Sequence, residues 1–295
     1  MDSWTKKPRE QASAWQAMGM PPLAAVREGE RHYLLLDAAQ VDQYSRYLSR
    51  WLGIAEQRPL HGRPISHERA DATPHLVVLR EPSALIDHRG SALTSHCRFY
   101  GALAWLVSPL DIDTLAARLQ HRLDAELPDE FACINRFFDA RVVPHLHACL
   151  GAAQREAFFS VARQWWVVSH EHRWQSLSCE FQVDDPYRGP LHLDARQQAH
   201  MVDACYPYSV IEHFEQTDPE LLDDLLPAQR YSHFSQALQR AAAYGIEGGA
   251  SAVLYCTLTL TRGRRFDEEG AWPTLLSRVK RGEITLQQAL KAQHD

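Results

Sequence analysis

The sequence predicts an α/β N-terminal lobe, a mixed sheet with helices, followed by an all-helical C-terminal lobe. Three observations carry this reading. Short apolar runs of strand length alternate with helical patterns up to about residue 183. A turn-rich stretch, DDPYRGP at 184–190, then interrupts the chain. Beyond it the periodic segments all repeat at helical spacing. The lobes are accordingly placed at residues 1–188 and 189–295.

The first thirty residues are polar with scattered tryptophan, and Pro21, Pro22 and Gly29 interrupt them, so they read as an extension or a short packed helix. HYLLLD at 32–37 is a continuous apolar run and reads as a buried strand. Val41, Tyr44, Leu48, Trp51 and Leu52 recur at helical spacing up to Gly53, a C′ glycine. Residues 57–73 are polar and read as a loop. HLVVL at 75–79 and LAWLVS at 103–108 are the next strands. Ser108-Pro109-Leu110-Asp111 reads as a helix start, with serine as cap and proline at the first helical position. Ile112, Leu115, Leu119 and Leu123 make the buried face of that helix.

Residues 132–138 read as a strand that places Phe137 and Phe138 on opposite faces. Asp139 opens a helical stretch in which Pro144 is tolerable only near the first turn. Residues 154–161 extend it, and 164–169 with 173–181 form a hairpin around Glu171 and His172. After the linker, helices are expected over 194–206, 219–226, 228–244, 249–261, 272–281 and 285–293. Gly245 ends the third, Gly248 and Gly249 open the fourth, and Thr285 with Gln288 forms a capping box on the last.

Composition narrows the function classes. Hydrophobic residues make up 45% and charged residues 23%, which excludes a disordered, collagen-like or low-complexity chain. The net charge of −6 supplies no broad basic footprint for nucleic acid or anionic lipid. The N-terminus lacks the apolar core of an export signal, and the best uncharged run, residues 249–261, is shorter than the ~18 residues of a membrane helix. A cytoplasmic protein without membrane contact is expected. The six cysteines are scattered, with no CxxC and no metal spacing, and read as reduced, mostly buried thiols.

Candidate chemistry is sparse. Asp139 reads first as a helix cap with Arg136 or Arg141 as ionic partner. His145 and His147 diverge if helical, whereas His170 and His172 would point the same way on a strand. Catalytic zinc needs three protein ligands and an open position, which HEH does not supply. There is no GxSxG elbow, no P-loop lysine and no GxGxxG. Catalytic residues, metal and cofactor are all expected to be none. Arg262, Arg264 and Arg265 form a small basic cluster that either complements a helix C-terminus or meets an acidic partner surface. Trp165, Trp166 and Trp174 are the aromatic part of the hairpin, and partner binding is placed on these tryptophans and those arginines.

Three segments, residues 32–39, 106–146 and 241–269, together resemble the adaptor (chaperone) family of bacterial type VI secretion, over roughly residues 30–281. The most specific piece is RFFDARV at 136–142: Arg136, Phe137 and Asp139 through Arg141 match the family's Arg-Phe, aromatic, Asp-Pro-Arg-Val stretch, with Ala140 in place of its proline. The resemblance implies a non-enzymatic protein that binds a secreted effector toxin and loads it onto a VgrG-type spike protein. The competing reading from the sixteen histidines is a histidine-dependent hydrolase or metalloenzyme, which requires histidines converging with perturbed acids in a deep pocket.

Overall fold

The structure, a computed structural model, describes residues 25–40, 56–60, 73–79 and 102–293. Most of the N-terminal extension, the helix expected over 41–52 and the bulk of the 57–73 loop lie outside the described residues. The chain divides into two compact units, residues 1–201 and 202–295.

The first unit combines sheets and helices. Its larger sheet contains β1 (Arg31–Leu36), β2 (Gln57–Pro59), β3 (His75–Leu79), β4 (Leu103–Ser108), β7 (Gln164–Val168) and β8 (Trp174–Leu177). Their order is β2-β3-β1-β4-β7-β8, with every neighbour antiparallel. A second sheet has the order β6-β5-β9, from β5 (Asp124–Glu126), β6 (Ala132–Ile134) and β9 (Leu191–His192). There β5 pairs antiparallel with β6 and parallel with β9, so the mixed strand direction resides in the small sheet.

Sequence explains why β1, β3 and β4 read as continuous apolar runs instead of alternating ones. Both faces of the large sheet are covered. Tyr33, Leu35, Ala104 and Leu106 belong to the core that packs against the helices, while Leu34, Leu36, Leu103 and Trp105 on the opposite face are equally inaccessible.

Among the described residues three α-helices lie wholly in this unit: α1 (Ile112–Gln120), α2 (Val143–Cys149) and α3 (Ala152–Phe158). The cap of α1 is Asp111, not Ser108. Asp111 Oδ1 accepts from Asp113 N and Thr114 N, both at 3.0 Å. Ser108 is instead the last residue of β4, and its hydroxyl donates to the Val161 carbonyl at 2.7 Å. Pro144 sits in the first turn of α2, where its missing N–H costs nothing.

Several expectations are corrected. The polar stretch at 57–73 contributes β2, and Leu60 beyond it is buried. The strand expected over 132–138 ends at Ile134, so Phe137 and Phe138 lie in a turn and are both buried. His170 and His172 occupy the hairpin turn, with His172 at φ 58°, and do not share a strand face. Residues 184–190 are not a linker, because Asp185 is clamped from inside the first unit, as described below. The lobe boundary expected at 188/189 also misses β9, whose Leu191 lies in the first unit's core.

The second unit is all helical among the described residues. Helix α4 (Ala195–Thr217) contains the division at 201/202 and runs on past Pro207, beyond its expected end at 206. Asp194 and Gln197 cap its start reciprocally, at 2.7 and 3.0 Å. Pro207 removes the donor that the Asp203 carbonyl, four residues back, would otherwise meet. The neighbouring Ala204 carbonyl accepts from the Tyr231 hydroxyl at 3.1 Å. Helices α5 (Pro227–Ala243), α6 (Gly249–Thr261), α7 (Trp272–Lys280) and α8 (Leu286–Ala292) follow. Gly245, at φ +76°, ends α5: its N–H reaches Ala242 O while Ile246 N reaches Ala241 O, a Schellman pair. Thr285 and Gln288 form the expected capping box. Phe214 stacks on Phe234 at 5.4 Å, and in the same core Phe266 meets Trp272 edge-on at 4.9 Å and Tyr255 at a tilt at 5.0 Å.

Candidate functional site

The RFFDARV segment builds a compact arginine–carboxylate cluster. Asp37 follows β1 directly, so its side chain leaves the sheet at the buried end of that strand, with 1% exposure. Its N–H donates to Ala102 O at 2.9 Å, which fixes the backbone against the start of β4. Asp139 is also buried, and its carbonyl accepts from Val142 N and Val143 N, launching α2. The N-cap of α2 is nevertheless Val142 and not Asp139 as expected, because the Asp139 carboxylate is taken up by Arg141 N and the Arg141 guanidinium, the latter at 2.7 Å. Arg136 bridges both acids, at 3.1 Å to Asp37 and 3.5 Å to Asp139. The expected pairing of Asp139 with Arg136 or Arg141 is met by both.

Two buried carboxylates close together repel, and burial adds to that. Burial first, then the neighbouring Asp139 charge, hold the Asp37 carboxyl above its ordinary range, against the pull of Arg136. Two acids and two arginines sum to zero charge, and each side chain is consumed by the others. Phe137 lies beneath them in the core, edge-on to Phe158 and Trp165 at 5.6 and 6.3 Å. Chemically the cluster fastens β1 to the turn that starts α2.

A second buried charge was not legible in the sequence. Arg122, with no exposed surface, donates to the carbonyls of Phe158 at 2.7 Å, Arg118 at 2.6 Å and Ala157 at 3.1 Å. It also grips both Asp185 oxygens, at 3.0 and 2.7 Å, and lies 4.5 Å over the Tyr187 ring. Burial alone would raise the Asp185 carboxyl; the hydrogen bonds and charge of Arg122 outweigh it and hold the group below its usual range. Arg118 adds hydrogen bonds to the carbonyls of Gln182 and Val183.

The residues chosen for partner binding separate. Trp165 is fully buried, packed on Phe159 at 5.1 Å, and offers no surface to a partner. Trp166 and Trp174 are half-buried on the hairpin; Trp166 lies opposite Trp105 across the strands, and Trp174 meets the Trp105 ring edge-on at 6.4 Å. Arg262, Arg264 and Arg265 belong to the other unit and are exposed. Arg265 pairs with Glu268 at 3.0 Å, and the Arg264 carbonyl accepts from Arg240.

His147 and His233 hold hydrogen-bond partners far along the chain. His147 meets Ser178 O at 2.9 Å. His233 Nε2 bonds Thr259 Oγ1 at 2.9 Å, and burial with the nearby Arg264 and Arg240 charges pushes it down to about 4. Burial first, then the nearby charges of His200 and His170, push His145 down to about 4. Among the described residues no group of three His, Cys, Asp or Glu side chains is placed to hold a metal ion. Of the five described cysteines Cys256 alone is buried and four are half-buried; burial pushes Cys179 and Cys256 up to about 12. No described helix is long and apolar enough to cross a membrane.

Residues 32–157 match the family described as Domain of unknown function (DUF4123). The match runs from β1 into α3. It takes in Asp37, Arg122, Arg136, Asp139 and Arg141, and it leaves out Asp185, the hairpin tryptophans and the helical unit. No curated protein and no solved structure matches the chain significantly.

Proposed function

We propose that the chain is a non-enzymatic, cytoplasmic adaptor of bacterial type VI secretion, which binds an effector toxin and loads it onto a VgrG-type spike protein. The observation that carries this reading is the RFFDARV segment. It bears the family resemblance, it lies inside the matched region, and its charges are spent on one another. A scaffold fixed by neutralised pairs suits a protein whose work is done by its surface. The half-buried Trp166 and Trp174 and the exposed Arg262, Arg264 and Arg265 are the proposed contact residues.

The test is co-purification. The tagged chain, expressed in its native bacterium, should bring down one secreted toxin and a spike protein. Deleting its gene should abolish delivery of that toxin alone. Normal delivery in the deletion strain overturns the proposal.

A further inference from the structure

We propose that β6 is a docking edge for an extended segment of a partner protein, apolar at alternate positions and flanked by lysine or arginine. The inference rests on the reading of the chain as a carrier of another protein. The geometry begins with hydrogen-bond phase. Leu127 N donates to Phe131 O at 3.1 Å and Asn135 N to Leu123 O at 2.7 Å, on either side of the register Glu126–Ala132, Ala125–Cys133, Asp124–Ile134. Bonded and non-bonded pairs alternate along an antiparallel ladder. Ala125–Cys133 is therefore the bonded pair, and Ala132 and Ile134 turn their N–H and C=O groups away from β5. Among the described strands nothing pairs with that side of β6.

The side chains on this edge are equally unguarded. Phe131 is 60% and Ile134 57% exposed, and Ala132 is exposed too. Edge strands are blunted by brevity, by lysine, by proline or by a bulge; β6 is short, three residues, but FACI at 131–134 carries neither a charge nor a proline. Backbone groups of this kind accept a strand from another chain by β-augmentation.

Charge chooses the occupant. Between Asp124 and Ile134 the hairpin holds four acids, Asp124, Glu126, Asp129 and Glu130, and no base. Asp124, Asp129 and Glu130 are exposed. The next base along the chain, Arg136, is engaged by Asp37 and Asp139. A basic-flanked strand is complementary to this rim, whereas a second copy would set two acidic hairpins edge to edge.

The probe is a fluorescent synthetic peptide, acetyl-KKVTVTVKK-amide, titrated into the full chain by anisotropy. Saturable binding is expected, with a loss of at least roughly tenfold for a peptide carrying glutamate in place of lysine. Ala132→Pro removes an outward N–H without touching the β5 ladder and should weaken binding by a similar factor. If that variant does not fold, Phe131→Ser/Ile134→Ser carries the test. Hydrogen exchange should show protection gained at Ala132 and Ile134 and unchanged at Cys133. Binding weaker than about 1 mM, equal binding by the glutamate peptide or the folded variants, or dimerisation through β6 overturns the proposal. Effector capture untouched by the variants would overturn the docking edge and keep the adaptor reading. Peptide binding without effector capture by the wild type would do the reverse.

Discussion

Replacing Arg122 by methionine tests how the first unit is held together. Methionine keeps much of the apolar stem and removes the guanidinium. The loss strands the carbonyls of Phe158, Ala157 and Arg118 and both oxygens of Asp185. Removing one partner of a buried ion pair costs about 3–5 kcal/mol. The Asp185 side chain is 19% exposed, so water relieves part of its loss and the lower end applies, about 3 kcal/mol. For a unit of this size that is a fall in Tm of roughly 6–12 °C. Limited proteolysis localises the effect. Tyr187 and Arg188 offer chymotrypsin and trypsin sites in the clamped segment. The wild type should resist cleavage there, and Arg122→Met should be cut there first. Arg122→Met/Asp185→Leu should recover part of the lost stability, because no unpaired carboxylate remains. A shift below about 2 °C, with residues 182–190 still resistant, would refute the clamp.

Three further outcomes are expected. Trp165→Ala should cost about 3–5 kcal/mol by opening a core cavity, while Trp166→Ala, which is half-buried, should leave most of the stability; chemical denaturation followed by near-ultraviolet circular dichroism separates them. Gly245→Ala should destabilise the helical unit by about 1–2 kcal/mol, because φ +76° penalises any Cβ although nothing lies within 4 Å of one; the thermal melt of the variant checks this. Acidification should destabilise the protein in two stages. His145 and His233, held near 4 in the folded state, take up protons more readily when unfolded, so stability falls between about pH 6.5 and 4. Asp185, held below its usual range when folded, adds stability above its unfolded pKa that is lost as pH falls further. Stability curves for the wild type and His233→Gln resolve the first stage, and identical curves would contradict it.

How much of this was legible in the sequence depends on how local each determinant is. β1, β3 and β4 were readable because both faces of their sheet are covered and their apolar runs are unbroken. Gly245 and the Thr285 box were readable because caps act within four residues. The pairing of Asp139 with Arg136 and Arg141 was likewise local. The place of Asp37 in that cluster is not local, since it lies 99 residues from Arg136, although an acid at the end of a buried strand is a signal that it needs a partner. DDPYRGP has the composition of a linker, and only Arg122, 63 residues away from Asp185, makes it part of the scaffold. β6 is shorter than the sequence pattern predicts because the two phenylalanines mimic strand periodicity while filling a turn.

The adaptor account is tested most directly by isolating the tagged chain from its native bacterium and identifying what travels with it. The account predicts a secreted toxin together with a VgrG-type spike protein. Recovery of the folded chain with neither protein, in cells that are actively secreting, would contradict it.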